Sequence, residues 1–493
     1  MVNDSTFKEA LINSIIIASI QTIVALALGL AIAIAIHRVN IRYSSILEPL
    51  IVIPLFISPI IWGFAWSYAY GPSGFIPILK EFNVAIVGVI CGLVHVPHAY
   101  ALLSSSLISM DATLEEVAMI HGASFTRVMT RVTIPIIRPS LVFSGLLLFI
   151  LGLEQFGIPL VLLTPYGHEV LTTYIYSIYN LYVINPYPYM ASVAAILLSM
   201  TISLLIVQRY LALREVKRYV TVGERFKAYY RVPVPASVKL ALLGITVVYV
   251  VTVVLIPLAS LVLRSIAPLY GARGGFTLDY YLLILESEHL RRAIVNTLAT
   301  SFIAASLGVI VYLSYSWVIQ RSRSGLSLYI DIGSTLPRAM PGVVAGLAFL
   351  WFYLFTPLRP LMYTYLGLAL AYVTVWSILG SRLVLSSLLQ ISRELEYVAR
   401  IHGASMTSTI ARIYLPLLRR SLLVAWLYIF ILGVREYSIP AFLATGQTHV
   451  IGSTLILLLG SGEMGTIAAL STISVLISLA LTIAILRLGW KPY

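Results

Sequence analysis

The chain has little charge and almost no cysteine. Only 10% of its 493 residues are Asp, Glu, Lys or Arg, whereas soluble domains carry about 25%. The hydrophobic share is 60% and the mean hydropathy is +0.97, so too few polar side chains remain to cover a surface in water. The single cysteine, Cys91, excludes an intrachain disulfide bond and a multi-cysteine metal cluster. Together these scarcities exclude an ordinary soluble protein.

Long apolar windows dominate the sequence instead. Most hold ~20 or more residues, which is enough for a helix to cross ~30 Å of hydrocarbon. Backbone groups cannot remain unpaired in lipid, and the runs show no apolar–polar alternation, so we predict helices rather than a barrel. The sequence therefore predicts an all-α polytopic protein of the cell membrane with about 11 transmembrane helices. The predicted spans are 11–36, 47–70, 84–106, 137–158, 188–208, 240–263, 293–319, 329–354, 364–388, 420–441 and 467–487.

The basic residues indicate how these spans are oriented. If the amino terminus is outside and the carboxyl terminus is cytoplasmic, most of the 32 Lys and Arg residues fall in cytoplasmic segments. Positive-inside sorting predicts that asymmetry, and the opposite orientation would invert it. The formal net charge of +13 then reflects topology, so we expect the chain to contact the lipid bilayer and no nucleic acid.

The sequence contains an internal repeat. Glu115–Leu141 and Glu396–Leu422 align without gaps at an offset of 281, with fourteen of 27 positions identical. Shared hydrophobicity cannot produce matched Gly, Pro, His and Arg residues, so the repeat records an internal duplication. The matched pairs include Glu115/Glu396, His121/His402, Gly122/Gly403, Pro135/Pro416, Asn13/Asn296, Arg38/Arg321 and His168/His449.

The repeat predicts three parts: a first half at 1–208 with about five spans, a basic cytoplasmic linker at 209–239, and a second half at 240–493 with about six. Both halves enter the membrane in the same direction, so they are parallel repeats related by an axis along the membrane normal. The second half begins with an additional span, 240–263. We expect that the first half lost this helix or that its start is truncated.

A short cytoplasmic segment between the third and fourth spans of each half does not span the membrane. In the first half an apolar stripe predicts a short helix from about Glu115 to Ile120, which Gly122 ends in the left-handed conformation. A second helical run follows, and we expect it to stop at Pro135. The apolar faces suit insertion into a groove on another protein. The alternative is a loop whose similarity only records the duplication.

The spacing of this segment resembles the Glu-Ala-Ala, Gly, Ile-x-Leu-Pro pattern of the permease subunits of binding-protein-dependent ABC importers. The first copy reads Glu116-Val117-Ala118, then Gly122, then Val132-Thr133-Ile134-Pro135. The second reads Tyr397-Val398-Ala399, then Gly403, then Ile413-Tyr414-Leu415-Pro416. Two departures are the Val in place of the middle Ala and, in the second copy, Tyr397 at the acidic position, with Glu396 one place earlier.

The resemblance implies that the two short helices couple the chain to a cytoplasmic ABC ATPase dimer and that an external solute-binding protein delivers the substrate. ATP and Mg would reside on the ATPase, since no lysine here lies in a Gly-Lys-Ser/Thr phosphate loop; the chain would have no cofactor and would not be an enzyme. A fused pair of such domains most resembles the ferric-iron branch, with thiamine, phosphonate or other small solutes as alternatives. The residues assigned to coupling are Glu115, Glu116, Val117, Ala118, Ile120, Gly122, Pro135, Glu396, Val398, Ala399, Ile401, Gly403 and Pro416.

Ionisable and amide residues near the bilayer are candidates for the translocation path or gate. Glu154-Gln155 aligns with Arg435-Glu436 near the outer ends of two spans, and interfacial snorkelling is the alternative. Arg338, between two prolines, either faces the pore or reaches back toward Asp331. We predict no metal site, because ferric iron prefers oxygen ligands and the binding protein would carry it.

A secondary transporter with internal repeats is the rival interpretation. Ion-coupled carriers usually need acids near the middle of the bilayer, and none of the nineteen acidic residues lies securely at the centre of a predicted span. A membrane enzyme is disfavoured because no paired acid–base or nucleophile arrangement is present.

Overall fold

The computed structural model describes residues 4–180, 186–216, 234–267, 275–321 and 325–488. All regular secondary structure in these ranges is helical. Residues 217–233, the larger part of the predicted basic linker, lie outside the described residues.

Contacts divide the chain into two compact units, and the boundary along the sequence lies between Gly275 and Phe276. In the first unit, π turns at Ala35–Val39, Met129–Thr133 and Val250–Leu255 and 3-10 turns at Ile53–Phe56 and Thr164–Tyr166 extend or join the α-helices. Its helices are α1 Ser5–Ile34, α2 Ser44–Val52, α3 Pro59–Tyr70, α4 Val84–Ser109, α5 Thr113–Ile120, α6 Phe125–Val128, α7 Ile134–Ile136, α8 Arg138–Leu153, α9 Gly157–Leu162, α10 Leu171–Asn180, α11 Tyr187–Val216, α12 Ala236–Tyr249 and α13 Ile256–Ser265.

The second unit repeats much of this order. It has a π turn at Ile410–Tyr414 and 3-10 turns at Leu336–Ala339 and Arg359–Tyr363. Its helices are α14 Asp279–Glu286, α15 Glu288–Arg321, α16 Leu326–Thr335, α17 Gly342–Leu354, α18 Tyr365–Val375, α19 Ser377–Leu388, α20 Glu394–Ile401, α21 Met406–Thr409, α22 Leu415–Val434, α23 Pro440–Leu443, α24 Ile451–Ser461 and α25 Met464–Arg487.

The helix lengths confirm a multi-pass membrane protein. Among the described residues, seven helices are long and apolar enough to cross a membrane, and three sharply bent helix pairs raise the number to ten. The predicted span 329–354 is occupied by α16, a 3-10 turn and α17, of which α17 is a shorter apolar helix. The prediction of about 11 helices is therefore confirmed, although several of them are not straight.

Two predicted spans are sharply bent: 364–388 bends by 63° at Trp376, and 47–70 bends further. Residues 47–70 were predicted as one span, and in the structure Ser44–Phe56 and Pro59–Tyr70 meet at 113°. Ile57 and Ser58 between them are extended. Pro54 and Pro59 lack the amide hydrogen that would continue a helix through this point. The predicted span therefore consists of two helices joined at a bend.

A single helix lies at the centre of each unit. In the first unit α1 packs against α4, α8 and α10. In the second, α15 packs against α18, α19, α22 and α24. The repeat pairs Asn13/Asn296 and Arg38/Arg321 place α1 and α15 at the same position in the two halves.

The helix that opens the predicted second half packs within the first unit. The Tyr70 hydroxyl of α3 donates to the Thr252 carbonyl at 2.7 Å, and the Tyr249 hydroxyl donates to the Leu93 carbonyl of α4 at 3.3 Å. The repeat groups residues 240–263 with 240–493, whereas contacts place Ala236–Ser265 in the unit that ends at Gly275. Packing and hydrogen bonding decide this placement, and the alignment of the two repeat copies contains no information on either.

Candidate coupling site and translocation path

Helix α5, Thr113–Ile120, ends in a left-handed glycine. Gly122 has a φ of +82°. Its N–H donates to the Met119 carbonyl at 2.9 Å, and the Ala123 N–H donates to the Ala118 carbonyl at 3.0 Å. This pair of bonds is the Schellman motif, which satisfies the carbonyl groups at a helix end. The expected end of the first short helix is therefore confirmed.

Helix α20, Glu394–Ile401, ends in the same way. Gly403 has a φ of +74°, its N–H donates to the Arg400 carbonyl at 2.9 Å, and the Ala404 N–H donates to the Ala399 carbonyl at 2.9 Å. No atom lies within 4 Å of the place where a Cβ on Gly403 would stand. Glycine is therefore favoured at this position by the backbone conformation and not by lack of space.

A buried ion pair between Arg38 and Glu115 fixes the covered side of α5. The Glu115 side chain is fully buried, and Arg38 is 3% exposed. Arg38 Nε lies 2.9 Å from Glu115 Oε2 and 3.1 Å from Oε1, and the Thr133 hydroxyl donates to Oε1 at 2.6 Å. Arg38 also donates to the Leu107 carbonyl. These bonds join α5 to the carboxyl-terminal end of α1.

The second unit contains the corresponding pair with a looser geometry. Arg321 Nε, at the end of α15, lies 3.5 Å from Glu396 Oε2. The other oxygen, Oε1, accepts from Arg400 Nη2 at 2.8 Å, so two arginines share one carboxylate. Arg321 also donates to the hydroxyl of Tyr414, the repeat mate of Thr133. The sequence paired Arg38 with Arg321 and Glu115 with Glu396, but it did not indicate that each arginine meets its glutamate.

The opposite faces of α5 and α20 are open. Val117 and Ile120 are 52% and 76% exposed, and Val398 and Ile401 are 52% and 81% exposed. Four apolar side chains at matched positions are therefore free to contact another molecule. Glu116 and, in the second copy, Tyr397 are also exposed, while Ala118 and Ala399 lie on the covered side.

The second helical run ends one residue after Pro135 in the first half, but in the second half it continues through Pro416. A π turn precedes each proline, at Met129–Thr133 and at Ile410–Tyr414. Pro135 and Pro416 lie in the first turn of the helix that follows, where a missing N–H is tolerated. The chain bends at Ile137 in the first half, by 69°, and Met406–Val434 is continuous in the second.

Gln155 belongs to a buried polar cluster that joins α1, α4 and α8. Its Nε2 donates to Gln21 Oε1 at 3.0 Å and lies 3.1 Å from His95 Nε2. Gln21 Nε2 in turn donates to the Leu148 carbonyl at 3.0 Å. Glu154, one residue earlier, caps the carboxyl terminus of α8. Gln21 was not among the predicted path residues, although a glutamine in the middle of an apolar span was the available signal.

Arg435 and Glu436 occupy the same positions after α22. Arg435 caps the helix, and Glu436 Oε1 accepts hydrogen bonds from the N–H groups of Tyr437, Ser438 and Ile439 at 3.2, 2.9 and 3.1 Å. This carboxylate therefore orders the turn that leads to α23. The side chain of the remaining candidate, Arg338, lies outside the described residues; its backbone is in the 3-10 turn Leu336–Ala339.

Among the described residues, no group of three or more His, Cys, Asp and Glu side chains is placed to hold a metal ion. Cys91 is buried. The described residues thus provide a duplicated short helix with an exposed apolar face and, in the first unit, a buried polar cluster around Gln155.

The family model described as "Binding-protein-dependent transport system inner membrane component" matches residues 25–217 and again residues 307–489. These two matches correspond to the two halves of the internal repeat, and together they cover most of the chain.

Several curated relatives match nearly the full length. The ferric transport system permease protein FbpB of Actinobacillus pleuropneumoniae is 24% identical over 494 residues, which cover 95% of this chain and 69% of that protein. The Fe(3+)-transport system permease protein FbpB 2 of Haemophilus influenzae is 24% identical, with 90% and 82% covered. The molybdenum transport system permease protein ModB of Mycobacterium tuberculosis is 30% identical over 32% of this chain and 62% of its own length.

Among solved structures, a bacterial alginate ABC transporter in complex with an alginate pentasaccharide-bound periplasmic protein is similar at a TM-score of 0.42 and 18% identity, over 55% of this chain and 94% of that one. The family assignment rests on the two sequence matches rather than on this likeness. The chain belongs to the family of binding-protein-dependent transport system inner membrane components, the permeases of ABC importers, and carries the family's domain twice.

Proposed function

We propose that this chain is the permease subunit of an ATP-driven importer of ferric iron. In this proposal it forms the translocation path, docks on a separate cytoplasmic ABC ATPase dimer through α5 and α20, and receives substrate from an external solute-binding protein. ATP and Mg reside on the ATPase, so the chain itself is a transport subunit and not an enzyme.

The observation that carries the proposal is the duplicated geometry of the two short helices. Each ends in a Schellman glycine, is held by a buried or nearly buried glutamate, and leaves its valine and isoleucine exposed. A helix fixed on one side and apolar on the other suits a groove on a partner protein. Duplication provides two such helices, which matches the two clefts of an ATPase dimer.

The proposed orientation places α5, α20 and the carboxyl terminus in the cytoplasm and the amino terminus outside. Arg127, Arg131 and Arg412, which follow the short helices, are exposed and satisfy the positive-inside rule in this orientation. A cysteine at position 120 would measure it, because Cys91 is buried and gives little background. An impermeant maleimide should label Ile120→Cys in inside-out vesicles and not in right-side-out vesicles.

Ferric iron is proposed as the substrate because the FbpB relatives match almost the entire chain. In our proposal the binding protein carries the iron with oxygen ligands, and Glu154, Gln155, Arg338, Arg435 and Glu436 line the path or gate. Thiamine, phosphonate or another small solute is the alternative.

Reconstituted uptake tests the proposal. Proteoliposomes would contain the chain with its ATPase, and ferric-loaded binding protein would be added outside. We expect radioactive iron to accumulate only with ATP inside. Accumulation driven by a proton or sodium gradient without the ATPase would refute the importer assignment, and ATP-driven uptake of a different solute would refute only the substrate.

Paired substitutions test the docking faces. Ile120→Asp and Ile401→Asp place a charge on the apolar face, and we expect loss of ATPase association without loss of membrane insertion. Ile120→Val and Ile401→Val keep the face apolar and serve as matched controls. Normal association of both aspartate variants would rule out docking through α5 and α20.

A further inference from the structure

The amino-terminal part of α1 is fixed to the loop before α10. Asn13 Nδ2 donates to the Glu169 carbonyl at 2.9 Å, and the Leu171 N–H donates to Ser14 Oγ at 2.8 Å. Asn13 and Ser14 are both buried. Their side chains therefore replace backbone partners that the loop lacks, and they hold the loop to one side of the helix.

The second unit repeats these bonds. Asn296 Nδ2 donates to the carbonyl groups of Gln447 and His449, both at 2.8 Å. The Ile451 N–H donates to the Thr297 hydroxyl at 2.8 Å. Asn296 and Thr297 are the repeat mates of Asn13 and Ser14, so the loop before α24 is held in the same way as the loop before α10.

The same two helices hold the short helices at their other ends. Helix α1 with its π turn is one 35-residue helix, Ser5–Val39, and α15 has 34 residues, so each is about 50 Å long. Neither contains a proline. Arg38 and Arg321, near their carboxyl-terminal ends, contact Glu115 and Glu396. One unbroken helix thus connects a short helix to a loop at the opposite end of its unit.

We propose that α1 and α15 are struts that transmit movement between the coupling helices and the loops at 168–171 and 447–451, with Asn13, Asn296, Arg38 and Arg321 as positioning residues. This inference rests on the proposed function. A continuous helix moves as a unit, so displacement of α5 or α20 by the ATPase displaces the opposite loop only while both ends are fixed. The connection acts in both directions, so binding of the loaded binding protein at the loop is linked to the nucleotide-bound state of the ATPase.

Asparagine-to-aspartate substitutions test the loop ends. Ionised Asp has the shape of Asn but presents only acceptors, so Asn13→Asp and Asn296→Asp repel the carbonyl groups that Asn13 and Asn296 now bind. Asn180→Asp is the matched control, since Asn180 is exposed and, among the described residues, donates to the Tyr176 carbonyl of its own helix. In the complex with the ATPase and ferric-loaded binding protein, we expect at least a tenfold fall in the stimulation of ATP hydrolysis by binding protein. The control should retain it.

A second measurement remains informative where an aspartate variant folds poorly. Gly446 is exposed in the second loop, so Gly446→Cys in a Cys91→Ser background reports the position of the loop through maleimide labelling. We expect ADP–vanadate trapping of the ATPase to change the labelling rate, and Arg321→Met to abolish that change. Arg42 is exposed, so Arg42→Met is the control, and it should leave the vanadate-induced change in labelling rate intact.

Two outcomes overturn the inference. Stimulation at the wild-type level in both aspartate variants, or a vanadate response that persists in Arg321→Met, would show that the struts carry no movement. Such results would leave the importer assignment intact. A wild-type complex without ATP-driven uptake and without a vanadate response would overturn the proposed function and the struts with it.

Discussion

Gly152 of α8 lies against Ala18 of α1 so closely that no side-chain atom fits between them. A methyl group on Gly152 would stand 2.5 Å from the Cα of Ala18 and 2.9 Å from its Cβ. The repeat mates show the same relationship, since a methyl group on Gly433 would stand 2.8 Å from Ser301 Cβ. Small residues allow helix backbones to approach in membranes, where packing drives association. Both central helices depend on this contact.

Gly152→Ala should therefore destabilise the first unit. The obstacle is backbone, which cannot rotate away, so we expect a loss of about 1–3 kcal/mol. Gly145→Ala, on the same helix, is the control because its methyl group would meet only the ends of two side chains, Leu26 at 3.3 Å and Thr22 at 3.9 Å. Thermal unfolding in detergent, followed by fluorescence-detected size exclusion, compares the two variants. Equal midpoints would contradict the packing argument.

The pair of Arg38 and Glu115 should behave as a coupled unit. Removing either partner alone leaves an uncompensated buried charge, which costs about 3–5 kcal/mol. We expect Arg38→Met and Glu115→Met each to lower the unfolding midpoint strongly, and the double variant to recover most of the loss. Additive effects in the double variant would mean that the two side chains act independently.

Gly403 should tolerate asparagine and reject valine. The space around it is open, but its positive φ costs a residue with a Cβ about 1–2 kcal/mol. Asparagine adopts this conformation more readily, so Gly403→Asn should keep ATP-driven uptake while Gly403→Val loses most of it. Membrane insertion, measured by surface labelling, should be the same in both. Equal uptake would show that the Schellman turn is not needed; the same pair of changes applies to Gly122.

The loop before α24 should loosen in acid. Burial is the larger cause that lowers the pKa of His449 from 6.5, and the charge of the nearby His289 ring lowers it further. The unfolded loop therefore binds more protons than the folded one, and stability falls as the pH drops through 6.5 until it levels off below the folded pKa. Hydrogen exchange should show less protection of the Ile451 amide at about pH 5.5 than at about pH 7.5. In His449→Gln this difference should vanish; a difference that persists would assign the effect to another group.

The sequence predicted local features well where a single residue type decides them. Gly122 and Gly403 were predicted correctly, because glycine adopts a positive φ with a smaller steric penalty than other residues and therefore commonly ends a helix. Pro54 and Pro59 carried the signal for the bend at 57–58, which the hydropathy windows concealed. Gln21 was missed because the span was defined by the length of its apolar window, and the polar side chains within that window were not considered.

The amino-acid sequence alone determined the membrane class, the approximate number of helices, the duplication and the two short helices. Composition, periodicity and breaker residues act locally or through the bilayer, which requires no knowledge of neighbouring helices. Only the tertiary structure decided that Arg38 meets Glu115, that Asn296 holds the loop at 447–449, and that Ala236–Ser265 packs with the first unit. These choices depend on which side chains can bury and pair across many residues of sequence, and that is settled when the helices pack.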